Sequence, residues 1–155
     1  MPSFGTTSIK RLQECDDRIQ IICYDAIQLV DFSIVTGHRT KEKQDSLYPK
    51  YTKVKWPNSK HNTMPSIAID IAPYIKPYGV IFGNSDDIAE MKRLRGCTTA
   101  EANAFVIKAY ARMIGTVEAM AYKRGIDIRV GMDWDGDYDM LDQKFHDLGH
   151  WELVL

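Results

Sequence analysis

The stretch SKHNTMPSIAID holds one histidine and one aspartate whose surroundings suit them to chemistry. His61 sits in a polar loop closed by Pro65, and Asp70 emerges downstream from the alternating run SIAIDIAPY. In a strand of that pattern Ile67, Ile69 and Ile71 face one way, while Ala68, Asp70 and Ala72 face the other. Asp70 therefore points onto a face of small residues. With His61 folded back over it, that face offers a metal one nitrogen and one oxygen ligand. Candidates for a third ligand come from the C-terminal FHDLGHWEL: His146, Asp147 and His150, of which His150 enters a strand and Asp147 lies three residues earlier in the preceding turn. Two histidines and one carboxylate, with a fourth position left for water, is a composition used for catalytic zinc. Zinc lowers the pKa of such a water towards about 7, and an unliganded carboxylate nearby can take its proton as it attacks a carbonyl. Asp147 is placed for that work.

The elements that position these residues can be read from periodicity. SIKRLQEC begins after Thr7 or Ser8 as N-cap, and DDRIQIICYDAIQLV carries apolar residues at helical spacing through Val30. FSIVTG reads as a short strand stopped by glycine, and TKEKQDSLY as a helix capped by Thr40. From Tyr48 to Met64 the prolines and polar residues predict a long surface loop, of the kind that tends to be functional. Lys76 to Cys97 reads as loop-rich. A long helix then starts at Thr98 or Thr99, with Phe105, Val106, Ala109, Met113, Val117 and Met120 as its core stripe. IDIRVG is a strand, DWDGDYD an acidic loop, and HWELVL a last strand.

Composition limits what such a chain can be. Its 155 residues, 45% of them hydrophobic, suffice for one core, so a single domain spanning 1–155 is expected, with little left for a second. Lys plus Arg number 20 against 21 Asp plus Glu, which lacks the basic excess that nucleic-acid binding requires. Ile19 to Val35 is too polar and too short for a membrane span, and the N-terminus lacks a signal-peptide core, so no membrane span and a cytoplasmic start are expected. Cys15, Cys23 and Cys97 form no CxxC pair and read as reduced thiols.

SKHNTMPSIAID with DLGHWEL, preceded by VTGHRTKEKQDSLY, resembles the zinc peptidases that include D-alanyl-D-alanine carboxypeptidases and dipeptidases and the L-alanyl-D-glutamate endopeptidases of bacteriophages. The resemblance runs from about Phe4 to the end. The family pattern is S-x-H, then A-x-D, then a carboxylate three residues before a final histidine; here the His61 to Asp70 spacing is two residues longer than the common form. It implies His61, Asp70 and His150 as zinc ligands and Asp147 as catalytic base. It further implies that Arg39 in GHRT steadies the substrate or the developing oxyanion. Arg39, Gln44 and Ser59 are the candidate substrate contacts, although for Gln44 and Ser59, as for His38 and Ser66, a structural role fits equally. The implied fold is α+β, helices packed on a small antiparallel sheet that carries the zinc site. The implied function is that of a phage endolysin cutting the L-alanyl-D-glutamyl bond of peptidoglycan stem peptides. Such an enzyme waits in the host cytoplasm until a holin opens the membrane, and is expected to act as a monomer. A D-alanyl-D-alanine carboxypeptidase is the alternative of the same chemistry; a zinc-bound binding module without catalysis is the alternative from another class. Glu152 shares its strand face with His150 and is either a support for that ligand or an edge charge. The alternating aspartates of 133–139 lack the glycine position and distal glutamate of an EF-hand, so an acidic loop at the active-site rim is expected there.

Overall fold

The computed structural model describes residues 1–140, 142 and 147–155. Helix α1 (Thr6–Leu12) starts behind Gly5, one turn earlier than a Ser8 cap would place it. Ser8 is inside the helix instead, where its buried hydroxyl accepts the Ile34 amide at 3.1 Å and ties α1 to the first strand. Asp16 caps α2 (Asp17–Ala26), its side chain accepting the Arg18 amide. The segment expected to stay helical to Val30 leaves the helix after Ala26, because the chain must turn to let the Asp31 carbonyl accept the Tyr74 amide at 3.0 Å. Strand β1 (Phe32–Thr36) and helix α3 (Lys41–Leu47), capped by Thr40, form as their sequence patterns predict.

The remaining elements are β2 (Ala68–Ile75), β3 (Gly79–Val80), α4 (Ser85–Arg95), α5 (Thr99–Arg124), β4 (Ile128–Val130) and β5 (His150–Leu153). Helix α4 and strand β3 lie where the sequence suggests only loop. α4 has a single buried residue, Met91, so it lacks the apolar stripe that periodicity detects. Its ends are nonetheless well specified: Asn84 accepts from the Asp86 and Asp87 amides, and Gly96 closes it at φ 64°. Helix α5 starts at the Thr98–Glu101 capping box and ends at Gly125. Its buried face is turned relative to the expected stripe: Tyr110, Ile114 and Ala121 are inside, while Phe105 is 37% exposed. Tyr110 tolerates burial because its hydroxyl donates to the Ile81 carbonyl at 2.9 Å. Among the described residues no helix is long and apolar enough to cross a membrane.

The strands form one antiparallel sheet in the order β1-β2-β5-β4, with β3 paired to β2. Fold class is therefore as expected: helices on a small antiparallel sheet. Alternation divides each central strand between two environments. Ile69 and Ile71 of β2, with Trp151 and Leu153 of β5, join the core with Leu12, Ile19, Ile22 and Met113 from the helices. Ala68, Asp70, His150 and Glu152 occupy the other face.

Candidate active site

Strand pairing brings the chemistry together. Asp70 on β2 is the register partner of His150 on β5, and Ala68 is the partner of Glu152. Two residues some 80 positions apart are thus set side by side, and the small Ala68 leaves room for Glu152 across from it. Entry of β5 beside β2 depends on Gly149, since a Cβ there would lie 2.2 Å from the Ile71 carbonyl oxygen. On the other side, β1 shifts register between Ile34 and Thr36 where it meets Asp70. Such irregularities re-aim the chain beside functional sites. Gly37 and Arg39 follow it directly.

His61 completes the group from a 3-10 turn, Lys60–Asn62. Ser59 caps that turn, accepting the His61 amide at 3.3 Å, and Asn62 accepts the Ser59 amide in return. Both His61 and His150 are buried. His61 Nε2 lies 3.2 Å and His150 Nδ1 3.0 Å from Asp70 Oδ1, and the two nitrogens are 3.3 Å apart. Ligands at about 2.0–2.1 Å on a tetrahedral ion stand roughly 3.3 Å from one another. The three donor atoms are already spaced as one face of such a tetrahedron, so the residues fit a tetrahedrally coordinated metal ion.

The outer atoms of the three side chains are held in ways that keep the inner ones available. His61 Nδ1 is 2.8 Å from the Gly37 carbonyl oxygen, so Nδ1 carries the proton and Nε2 the lone pair. His150 Nε2 is 3.1 Å from Glu152 Oε2, which keeps the Nε2 proton on that side and leaves Nδ1 as the atom facing Asp70, where a metal ion would displace its proton. A carboxylate behind a ligating histidine raises the basicity of the ligand. Asp70 Oδ2 accepts from Arg39 Nη2 at 3.2 Å. Burial alone would raise the Asp70 carboxyl, but the charges and hydrogen bonds of His61 and His150 outweigh it and hold it well below the ordinary carboxylate range. Burial likewise pulls the His150 imidazole down, yet the carboxylates of Asp70 and Glu152 lift it to about 9. The pocket stabilises positive charge at the point where the three donors meet.

Around this group lie residues that the sequence did not single out. Gly131 donates its amide to the His150 carbonyl at 2.8 Å and accepts the Asp147 amide at 2.9 Å. A Cβ on it would fall 2.5 Å from the Asp147 carbonyl oxygen and 3.2 Å from His150 Cβ. Arg129 pairs with Glu152 and lies over the Trp134 ring, which stands 5.3 Å from the His150 ring. Asn62 donates to the Arg39 carbonyl at 2.9 Å. None of these shows in one-dimensional patterning, because each acts through the β4–β5 register or the fold of the loop. Glu152, which the sequence left between two readings, is buried within the sheet and bonded to His150.

Asp147 lies next to the donors without joining them. Burial, and then the Asp70 charge, push its carboxyl up, while His150, His61 and Arg39 pull the other way. Arg39 bridges Asp70 and Gln44, whose Oε1 accepts from Arg39 Nη1 at 3.2 Å. Gln44 is fully buried, and its amide nitrogen donates to the Val54 carbonyl at 2.6 Å. In this structure it acts on Arg39 and on the 48–58 loop. Ser59 is partly exposed and serves the turn that carries His61. His38 is partly exposed, and Ser66 is fully buried, donating to the Ala68 carbonyl at 2.7 Å. His146 lies outside the described residues. In the acidic loop, carboxylates of Asp133, Asp135 and Asp137 also converge, and buried Asp133 accepts the Gly136 and Tyr138 amides.

Comparison with known proteins bears on what this arrangement serves. The family model for phage L-alanyl-D-glutamate peptidases matches residues 2–108. The chain is 32% identical to the L-alanyl-D-glutamate peptidase of Escherichia phage T5 over 156 residues, covering 97% of each protein. Its fold is similar to that of the L-Ala D-Glu endopeptidase ChiX of Serratia marcescens, with a TM-score of 0.63 over 98% of this chain and 90% of that one, at 19% identity. With a family match over most of its length and a full-length relative at that identity, the chain belongs to the phage L-alanyl-D-glutamate peptidase family.

Proposed function

We propose that this chain is a zinc-dependent peptidoglycan hydrolase of the endolysin type, cleaving the L-alanyl-D-glutamyl bond of the stem peptide. The observation that carries the metal part is the triangle of His61 Nε2, Asp70 Oδ1 and His150 Nδ1, with edges of 3.0–3.3 Å. Membership of the peptidase family supports the bond that is cut. When bound by these three side chains, zinc would supply Lewis-acid polarisation of the scissile carbonyl and acidify a water in its open position.

The chain's own residues do the rest. Glu152 and the Gly37 carbonyl hold the outer ring protons of His150 and His61, so that the inner nitrogens are the ones that would donate to a bound ion, His150 giving up its Nδ1 proton to it. Asp147 takes the proton of the attacking water and returns it to the departing D-glutamyl amine. Its raised carboxyl suits a group that must accept and then give up a proton. Arg39, held by Gln44, keeps Asp70 in place and brings a fixed positive charge to the side where negative charge develops on the carbonyl oxygen. Ser59 and Asn62 hold the turn that delivers His61.

Mass spectrometry of purified Gram-negative peptidoglycan after digestion tests this reading. New D-glutamyl amino termini, with L-alanine left on muramic acid, are expected. Release of free D-alanine without those termini would replace it with the carboxypeptidase reading.

A further inference from the structure

Between Asp45 and Asp70 the chain has no acidic residue, in a protein that holds 21 of them in 155 positions. The same stretch carries Lys50, Lys53, Lys55 and Lys60. All four are exposed, and none is in an ion pair among the described residues. A net charge of −1 for the whole chain therefore conceals one strongly cationic surface segment. Two of the lysines rest on aromatic faces, Lys50 Nζ at 4.9 Å from the Tyr51 ring centre and Lys55 Nζ at 5.2 Å from that of Tyr48. Lys53 Nζ donates to the Pro49 carbonyl at 2.9 Å. These contacts order the ammonium groups without neutralising them.

The segment is also fastened to the candidate active site. Val54 accepts from Gln44, the residue that holds Arg39, and at its far end the chain runs through Ser59 directly into His61. The lysine-bearing segment is thus tied at both ends to elements that hold Arg39 and His61.

We propose that residues 48–58 form a docking surface for the free carboxylates of peptidoglycan stem peptides, with Lys50, Lys53 and Lys55 as its charged contacts. The proposal rests on the peptidoglycan reading above and adds to it a site outside the catalytic group. Charge complementarity selects the occupant. Each stem peptide offers the α-carboxylate of D-glutamate and the carboxylates that follow it, repeated along the sacculus. Many weak exposed pairs to a repeating polyanion give attraction that depends on salt and raises encounter rate. The lysines act on binding to the polymer, and the chemical step belongs to Asp147 and the donor group.

The test uses Lys50→Gln/Lys53→Gln/Lys55→Gln in the full chain; Lys60 is left intact because it adjoins His61. Cosedimentation with Gram-negative sacculi, which carry no phosphate polymer, is measured in an Asp147→Asn background so that the walls stay whole. An exposed ion pair contributes a factor of a few, so the three together give about a tenfold weaker affinity in the variant. Loss of salt dependence between about 50 and about 500 mM is expected with it. The matching Lys→Arg variant retains binding, amidation of the sacculus carboxylates abolishes it for the parent, and kcat on a soluble stem peptide is unchanged by the Gln substitutions. Binding by the Gln variant equal to the parent, binding indifferent to amidation, or binding only to walls bearing phosphate polymers overturns the proposal. Failure of the unsubstituted protein to cut the soluble peptide would instead overturn the peptidase reading, while the sedimentation result still decides the docking surface.

Discussion

Replacing Glu152 by glutamine removes one charge from behind His150 and leaves the volume of the side chain almost unchanged. In the structure both carboxylate oxygens are committed, Oε2 to His150 Nε2 at 3.1 Å and Oε1 to Arg129. An amide has one acceptor where the carboxylate has two, so its NH2 must face one of these donors. Arg129, with its side chain 46% exposed, can turn to solvent, whereas His150 is buried and cannot. The amide oxygen therefore stays with His150, the tautomer is kept, and what is lost is the negative charge that makes Nδ1 a strong donor. Removing such an outer partner typically weakens metal affinity tenfold to a hundredfold, or about 1.4 to 2.7 kcal/mol. Zinc competition against a chromophoric chelator measures this, with circular dichroism as the check on folding. Burial raises the Glu152 carboxyl, but His150 and Arg129 together bring it down to about 2 from 4.5. A depressed carboxyl stabilises the fold above its unfolded value and loses that contribution as pH falls through its folded value. The stability gap between the metal-free parent and variant is thus full from about pH 4.5 up to the His150 value of about 9, and narrows towards about pH 2. An unchanged zinc affinity in a folded Glu152→Gln protein would refute the argument and reduce Glu152 to a partner of Arg129.

Three further substitutions separate the roles assigned around the site. Asp147→Asn keeps metal and fold but loses turnover by about a hundredfold to ten-thousandfold, measured on a soluble stem peptide; retained activity would remove Asp147 as the base. Arg39→Lys retains the metal and lowers kcat, because lysine cannot span Asp70 and Gln44 together as the guanidinium does; unaltered kinetics would leave Arg39 a purely structural pair. Gly131→Ala forces a methyl to within 2.5 Å of the Asp147 carbonyl oxygen, and a cost of about 1–3 kcal/mol is expected in denaturant unfolding together with weaker zinc binding; wild-type values for both would show that the loop yields freely.

What the sequence made legible follows from how each feature is encoded. The direction of Asp70 was readable because a strand has a period of two, and Ala68 and Ala72 beside it mark a face different from that of Ile69 and Ile71. His61 and His150 stood out because the chain has only 4 histidines and two of them flank carboxylates at family spacing. Helix α4 was not readable, since its stability comes from Asn84, Gly96 and charge placement and hardly from an apolar face. The support of His150 by Glu152 was visible only as a shared strand face. Whether the pair touches depended on β5 lying inside the sheet between β2 and β4, which pairing decides and periodicity does not. Gly131 was invisible for the same reason: its neighbours arrive from another part of the chain. The loop from Tyr48 was readable as a long surface loop, but its cationic character was masked because the total charge is nearly balanced, and only the distribution along residues 46–69 reveals it.

His61, Asp70 and His150 could hold one metal ion, and the proposed activity requires that they do. Metal content and lytic activity measured on the same purified samples test it most directly, before chelation, after chelation and after zinc is restored. About one equivalent of zinc is predicted, with activity lost and regained in step and no stable zinc in His61→Ala, Asp70→Ala or His150→Ala, because a site of three protein ligands has no donor to spare. Full lytic activity in metal-free protein would contradict it.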